Sequence, residues 1–249
     1  DGVDDDPLAS GGGFEFGLVS YWPLDSDLLD AADDNHGTED GGVIPFEAGK
    51  FGNAISLDGT QNVIITGGDE SEFDFTDGSM TVSAWCTAAS ITTGWQCLIA
   101  KGEGNGWRVH RRGSDVPEEF SWAGGVGEAS AHGTAITIGG EPETWHHVVG
   151  VTDGSTGTTT LIIDGVEVGT NTGAALGNRA NRMRIGENPD ALGRGWNGKI
   201  DDVAIWARAL SADEISEIWA AGEGASIEVL LGGGTQFAIT DITYDNKGT

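Results

Sequence analysis

Residues 198–222 read GKIDDVAIWARALSADEISEIWAAG, and this stretch contains the two kinds of element that decide the fold. Its first half is an apolar strand, and its second half predicts a short helix over residues 210–221. Ser211, followed three residues later by Glu214, forms a capping box, which is a sequence pair that starts helices. Gly222 is a residue type that ends them. We therefore predict a long strand followed by one short C-terminal helix.

Upstream of this stretch the chain is a series of short strands. From residue 18 to residue 209, apolar runs alternate with turns rich in Gly, Asp and Asn. In SMTVSAWC (79–86), alternate residues share one face, as they do in a β-strand. Asp164-Gly165, between LIID and VEV, is typical of a two-residue hairpin turn. This pattern predicts an all-β fold, a two-sheet antiparallel sandwich.

The composition is that of a folded and strongly acidic protein. The 249 residues include 42 Gly, 40 Asp and Glu, and 12 Lys and Arg, which gives a formal net charge of −28. Nine Trp and eight Phe argue against intrinsic disorder. The negative charge disfavours nucleic acid as a partner. Because no run of about 18 apolar residues occurs, we expect no membrane insertion. An acidic, Gly-rich β-protein is expected outside the cell or at its surface.

Composition divides the chain into three segments. Residues 1–17 are rich in Asp and Gly and are predicted to be a flexible leader. Residues 18–222 form the predicted domain. Residues 223–249 are a Gly-rich linker that ends in FAITDITYDNKGT, which has a β-like alternation. So few residues cannot form an independent β domain. They are either the start of a further domain or a segment that docks on the main body or a neighbouring chain.

The chain has two cysteines, Cys86 and Cys97, in the stretch SAWCTAASITTGWQCLIAKG. Two apolar runs flank a turn-like TTG in this stretch. If the runs pair as a hairpin, the thiols face each other, and a disulfide would fit an oxidising compartment. The alternative is two buried free thiols that behave as small apolar groups. The sequence alone does not settle the Cα separation, so both remain open.

A series of motifs resembles one family in its order along the chain. The motifs are LVSYWPLD at residue 18, GKFGNAISLDG at 49, MTVSAW at 80, TWHHVVGVTDG at 144, LIIDGVEV at 161, MRIGEN at 183 and GKIDDVAIWARALSADEI at 198. Residues 18–222 therefore look like a laminin-G-like jelly roll of the concanavalin A-like lectin/glucanase superfamily. The resemblance implies a jelly-roll sandwich of two curved antiparallel sheets, a short helix after the last long strand, and binding without catalysis.

An acidic loop between residues 25 and 34 is dense in carboxylates. Calcium takes six to eight oxygen ligands, often from such a loop. Proteins of the resembled family often carry a structural calcium that joins this loop to the position of Asp201-Asp202. The resemblance therefore implies a Ca²⁺ site formed by Asp30 and Asp202, with Asp25 as a further ligand. The alternative is a solvated acidic surface.

Catalytic motifs are missing from the sequence. No E-x-D-x-x-E strand, as in the glucanases of the resembled superfamily, and no G-x-S-x-G occurs. The histidines of Trp145-His146-His147 are adjacent in a predicted strand and so face opposite sides, which disfavours a shared zinc site. We expect these residues to pack in the core, and we expect no enzymatic activity and no catalytic residue.

The basic residues are concentrated in two stretches, 101–112 and 179–199, each close to tryptophans. Aromatic rings stack on sugars, and arginines bind carboxylate or sulfate groups through paired hydrogen bonds. The predicted ligand-binding residues are Trp95, Trp107, Arg108, Arg112, Trp122, Arg182 and Arg184.

Alternation along the strands refines this hypothesis. It places Arg108 and Arg112 on one face of WRVHRR, with Arg182 and Arg184 outward in NRMRIG. The two sets form one cationic strip if their strands share a sheet. Trp95 and Trp122 are the tryptophans that we expect to be exposed. The alternative is that the arginines pair with neighbouring acids and that the tryptophans belong to the core.

The leading hypothesis is a non-catalytic, extracellular or cell-surface module that binds a polysaccharide or other glycan and is stabilised by calcium. An anionic polysaccharide is the ligand that the clustered arginines would suit. The module would be one domain of a larger secreted or cell-surface protein. The alternative is a structural or adhesive subunit that contacts neighbouring protein chains through its tail or a sheet edge.

Overall fold

The computed structural model describes residues 13–76, 78–90, 93–113, 119–125, 130–134, 137–139, 143–173 and 175–232. The strands are β1 Leu18–Trp22, β2 Gly37–Asp40, β3 Phe46–Ala48, β4 Asn53–Asp58, β5 Asn62–Ile65, β6 Met80–Cys86, β7 Cys97–Ala100, β8 Arg108–Arg111, β9 Glu119–Ala123, β10 Ser130–Thr134, β11 His146–Asp153, β12 Thr158–Ile163, β13 Val166–Thr172, β14 Arg184–Ile185 and β15 Asn197–Trp206. The helices are α1 Ala212–Trp219 and α2 Ile227–Leu230, with 3-10 turns at Glu70–Phe73 and Ala220–Gly222.

The strands form two antiparallel sheets. The eight-stranded sheet has the order β13-β12-β11-β6-β15-β4-β3, and β1 also pairs with β15. The seven-stranded sheet has the order β10-β9-β8-β7-β14-β5-β2. Chain neighbours such as β6 and β7 therefore lie in different sheets. This architecture confirms the predicted jelly-roll sandwich.

An apolar core fills the space between the two sheets. Trp22, Trp107, Trp122 and Trp196 are fully buried there. Burying one large apolar side chain contributes about 1.5–3 kcal/mol, so such residues dominate the stability of the sandwich. Tryptophans from both sheets thus fix the core.

A second apolar cluster covers the outer face of the eight-stranded sheet. Helix α1 buries Ile215 and Ile218 in this cluster, together with Trp206 of β15. The predicted capping box is present: the Ser211 hydroxyl accepts from the Glu214 N–H, and the Glu214 carboxylate accepts from the Ser211 N–H. No helix in the described part of the chain is long and apolar enough to cross a membrane. The eight-stranded sheet is thus covered on both faces where α1 lies.

Packing extends past both predicted limits of the domain, residues 18 and 222. Phe14 is buried, and its ring centroid lies 6.4 Å from that of Trp206. Ile227, at the start of α2, is also fully buried. The strand predicted near the C-terminus falls outside the described residues.

The hairpin predicted at Asp164-Gly165 joins β12 to β13. Asp164 has a φ of 53° and Gly165 a φ of 73°, which are the two positive values that a type I′ turn requires. The Asp164 carboxylate also accepts hydrogen bonds from the His147 N–H and pairs with the His146 ring. The turn is therefore tied to the start of β11.

Candidate functional site

A row of polar side chains crosses the outer face of the seven-stranded sheet. Val109 of β8 and Trp122 of β9 point into the core, so the alternate residues of those strands point outward. His110, Ser121 and His132 lie directly opposite one another on β8, β9 and β10. Sheet pairing therefore brings two imidazoles and a hydroxyl into one line.

A hydrogen bond joins two members of this row, Ser121 and His132. Ser121 Oγ and His132 Nδ1 are 3.0 Å apart. Ser121 and His110 are buried, whereas the imidazole of His132 is exposed. His132 still loses part of its hydration where it lies against the sheet, and this partial desolvation, together with the nearby Arg112 charge, lowers its pKa below the ordinary value. The imidazole of His132 is therefore mostly uncharged at neutral pH.

Trp95 lies at one end of this row. Its ring centroid is 5.6 Å from that of His110, with the two planes tilted by 40°. The indole is 42% exposed, and Trp95 has a φ of 62°, in the left-handed region that bulky residues rarely adopt. A large aromatic side chain held in solvent by an unfavourable backbone conformation is a feature associated with binding sites.

An arginine–carboxylate pair lies beside the row. Arg112 Nη1 is 3.1 Å from one oxygen of Glu119 and 3.3 Å from the other. The backbone N–H of Arg112 also donates to the Glu119 carbonyl, at 2.7 Å. The Arg112 side chain is 45% exposed, so its guanidinium can be reached from solvent.

We name this region the β8–β10 site, and it consists of Trp95, His110, Arg112, Glu119, Ser121 and His132. Trp95, Arg112 and His132 are its exposed members, whereas His110 and Ser121 are buried. It combines an aromatic face with hydrogen-bond donors and acceptors. Sites that bind small polar molecules have this combination, in which apolar area supplies affinity and a few polar groups set orientation. Hydroxyl-rich rings match it well, because one side of a sugar ring is apolar and its edge is polar.

Two of the predicted aromatic ligand-binding residues are not at the surface. Trp107 and Trp122 are both fully buried, and their ring centroids lie 6.0 Å apart in the core. Trp107 Nε1 donates to the Phe73 carbonyl, and Trp122 Nε1 donates to the Val151 carbonyl. The predicted exposure of Trp122 is therefore wrong, and neither indole has a face free for a sugar.

The predicted arginines do share one sheet. Arg184 and Arg108 both pair with Ala100 and so lie in one cross-strand row. This row is not a free cationic strip, because Arg108 is buried and Arg184 forms an ion pair with Asp40 at 2.7 Å. Arg182 donates to the carbonyls of residues 65 and 67. Of the predicted arginines, only Arg112 is part of the β8–β10 site.

The structure has no disulfide between Cys86 and Cys97, so the first of the two alternatives left open by the sequence is wrong and the second, two buried free thiols, is present. Both cysteines are free and buried. Cys86 lies in β6, which pairs with β11 and β15, whereas Cys97 lies in β7 of the other sheet. The two runs therefore do not form the hairpin that the pairing required. Burial raises the pKa of both thiols, which makes them unreactive.

The predicted calcium ligands are engaged by protein donors. Asp202 lies at a bulge of β15, with a φ of 50°; one carboxylate oxygen accepts from the Tyr21 hydroxyl at 2.7 Å, and the other accepts from the Ile227 N–H at 3.1 Å. Burial raises the pKa of Asp202 to about 7. Asp30 Oδ1 accepts from the Tyr21 N–H, and Asp25 Oδ1 accepts from the Asn53 N–H.

The three carboxylates predicted to bind calcium are not grouped as one metal site in the described part of the chain. A pocket of about 450 Å³ between β1 and α2 is lined by Asp25, Asp27 and Glu228, but Asp30 and Asp202 do not line it. Within the described residues, no three His, Cys, Asp or Glu side chains are grouped so as to hold a metal ion. The predicted ligand set is not assembled, and a requirement for calcium stays a prediction.

Four residues of the β8–β10 site were not predicted to bind a ligand. They are His110, Glu119, Ser121 and His132. Alternation had placed His110 on the same face as Arg112, and the same rule applied to EFSWA and SAHGT would have selected the other three. Only the strand register, which pairs β8 with β9 and β9 with β10, brings them together.

Comparison with known proteins agrees with this fold. A sequence family described as the concanavalin A-like lectin/glucanases superfamily, Laminin_G_3, matches residues 57–216. No curated protein matches the chain.

Solved structures with the same fold have low sequence identity to this chain. Domain 4 of AbnA, an extracellular arabinanase of Geobacillus stearothermophilus solved with arabinotriose, has a TM-score of 0.63 and 20% identity, and the match covers 84% of this chain and 98% of that domain. The binding domain of Paraclostridial Mosquitocidal Protein 1 has a TM-score of 0.62 and 15% identity over 82% of this chain and 52% of its own. The binding domain of botulinum neurotoxin DC, solved with SialylT, has a TM-score of 0.60 and 15% identity, covering 83% and 52%. The chain thus spans about half the length of these toxin domains.

Proposed function

Because the chain belongs to the concanavalin A-like lectin/glucanase superfamily, we propose that it is a non-catalytic module that binds a glycan through the β8–β10 site. One observation carries this proposal: the half-exposed indole of Trp95 lies beside a row of hydrogen-bonding side chains on the outer face of a sheet. The sugar would stack on Trp95 and present its hydroxyl groups to His132 and the Arg112–Glu119 pair.

The chemistry of the site favours binding over catalysis. Ser121 is fully buried, so a substrate has no access to the hydroxyl beside His132. Glu119 is committed to Arg112, and a glycosidase needs a second carboxylate across the scissile bond. The described residues place no second carboxylate in the β8–β10 site.

Proteins of similar fold support a glycan ligand and an extracellular location. The arabinanase named above is extracellular, and its domain 4 was solved with arabinotriose. One toxin binding domain was solved with SialylT. We accordingly place this module outside the cell, as part of a secreted or cell-surface protein.

Binding of the whole chain to a panel of immobilised polysaccharides tests the proposal. Trp95→Ala should weaken retention on any glycan that binds by at least about tenfold, or about 1.4 kcal/mol. Phe16→Ala is the matched control, because Phe16 is also an exposed aromatic residue but contacts Arg208, near β1 and β15. Equal binding by wild type and Trp95→Ala would place the ligand elsewhere.

The non-catalytic part of the proposal has a separate readout. Incubation of the chain with each polysaccharide that it retains should release no reducing ends and no unsaturated products. Release of either product that persists in repeated preparations would make the module an enzyme.

A further inference from the structure

Basic side chains are scarce in this protein, and the described ones near the outer face of the seven-stranded sheet have partners. Lys and Arg number 12, against 40 Asp and Glu. Among the described residues, the ion pairs on and around this sheet include Arg112–Glu119, Arg184–Asp40, Arg179–Asp190, Arg194–Glu103 and Lys101–Glu70. Arg182 is bonded to backbone carbonyls, and Arg108 is buried with a partner of its own.

Charges within the β8–β10 site offset each other. Arg112 and Glu119 form a pair in which one guanidinium nitrogen approaches both carboxylate oxygens. His132 adds little positive charge at neutral pH, because partial desolvation and the Arg112 charge lower its pKa. The charges that face His132 are the Arg112 guanidinium and the Glu119 carboxylate.

An anionic ligand would meet two obstacles here. It would have to displace Glu119 from Arg112 and leave that carboxylate beside its own negative charge. It would also approach a protein with a formal net charge of −28, which repels polyanions at low ionic strength.

An uncharged sugar meets neither obstacle. The Arg112–Glu119 pair offers donors and acceptors side by side, and neighbouring hydroxyl groups both donate and accept. We infer that the ligand of the β8–β10 site is an uncharged glycan. This inference rests on the proposed function. It replaces the hypothesis of an anionic polysaccharide, which the clustered arginines in the sequence had suggested.

Matched pairs of polysaccharides test the inference. The whole chain is passed over charged polymers and their uncharged counterparts of the same backbone, such as dextran sulfate with dextran and carrageenan with desulfated carrageenan. We expect retention by at least one neutral member, little change between low and high salt, loss on Trp95→Ala, and at least tenfold weaker retention by the charged counterpart.

The other outcomes are distinguishable. Retention by a charged polymer that equals or exceeds retention by its neutral counterpart, weakens with salt and is lost on Trp95→Ala would overturn the inference but keep the proposed function. Retention by no polymer would remove the proposed function and the inference together.

A pair of variants tests the role of charge at the site itself. Glu119→Gln should increase retention by dextran sulfate severalfold, because it releases Arg112 from its partner. Glu47→Gln changes the net charge equally but lies on β3 of the other sheet, beside Lys199, and should leave that retention at the wild-type level. Tight wild-type binding to dextran sulfate that Glu119→Gln does not increase would contradict the inference.

Discussion

Gly150 of β11 faces the indole ring of Trp122 across the interior of the sandwich. A Cβ atom added at Gly150 would lie 2.4 Å from Trp122 Cδ2, closer than real Cβ atoms approach another atom. We expect Gly150→Ala to lower the free energy of unfolding by about 1–3 kcal/mol, the usual range for overpacking. Denaturant unfolding measures it. In a Trp122→Phe background the loss should shrink, and a loss that stays the same in both backgrounds would contradict the steric explanation.

His147 gives the fold a specific response to acid. Its ring is buried, Nε2 lies 2.8 Å from Ser83 Oγ, and burial lowers its pKa from 6.5 to about 3. Between these values the unfolded chain binds a proton that the folded chain does not, so stability falls as the pH falls, by up to about 1.4 kcal/mol per pH unit.

The variant His147→Gln separates the contribution of His147 to the loss of stability at low pH from the contribution of the acidic residues. Removing His147 costs stability at pH 7, but it also removes the proton uptake of the unfolded state. The stability difference between wild type and His147→Gln should therefore narrow between pH 7 and pH 5. Unfolding in denaturant at both pH values measures it, and a constant difference would show that the imidazole of His147 does not resist protonation.

Alternation predicted directions of side chains but not their exposure. In WRVHRR it placed Arg108 and Arg112 on the face opposite to Val109, and the strand register confirms this for Arg108. Arg108 is nevertheless buried, whereas Arg112 is exposed. The exposure of a side chain on the outer face depends on which distant segments of the chain pack over it, and alternation says nothing about that. The burial of Trp122 was missed for the same reason: a strand has two faces, and packing decides which one is interior.

At the scale of elements, the N-terminus of α1 depends on one side chain. Ser211→Ala removes the hydroxyl that accepts from the Glu214 N–H, so it should lower the free energy of unfolding by about 0.5–2 kcal/mol. Ser216→Ala is the matched control, because Ser216 is exposed in the middle of the same helix, where Ala is favoured. Thermal or denaturant unfolding of both variants measures the effect. Equal stabilities would mean that the capping box adds nothing.

The attachment of α2 depends on Asp202. Its carboxylate accepts from both Tyr21 and Ile227, and an Asn amide would turn a donor toward one of these donors. Asp202→Asn should therefore lower the melting temperature to the same extent with added calcium and with chelator, with a loss of about 1–3 kcal/mol. A loss that disappears in chelator would show that Asp202 acts through a bound calcium ion.

Elements with local signals were predicted from sequence, and those that depend on distant contacts were not. The capping box at Ser211 and the turn at Asp164-Gly165 involve residues close in the chain, and both are present. The two apolar runs that carry Cys86 and Cys97 could form either a hairpin or two strands in different sheets, because both arrangements have the same local sequence pattern. Only the tertiary fold decides between them, and it places the runs in different sheets. The bulge in β15 that brings Asp202 into contact with Tyr21 is not predicted by any local sequence pattern either.

At the scale of the whole molecule, the two buried thiols report on global unfolding. Cys86 and Cys97 are both inaccessible in the folded protein. A thiol reagent should label neither cysteine in the native state and both in denaturant without reductant, since no disulfide joins them. Mass spectrometry counts the labels. If the unfolded chain takes up no label without reductant, Cys86 and Cys97 are joined by a disulfide.

The covered outer face of the eight-stranded sheet has a consequence for how such a module diverges in evolution. Both apolar clusters involve that sheet, whereas Trp95, Arg112 and His132 belong to neither cluster. Substitutions at these three positions can change what is recognised while most of the folding energy is inherited unchanged. Selection on ligand preference and selection on stability thereby act on separate sets of residues, and the fold can be reused for new ligands without being rebuilt.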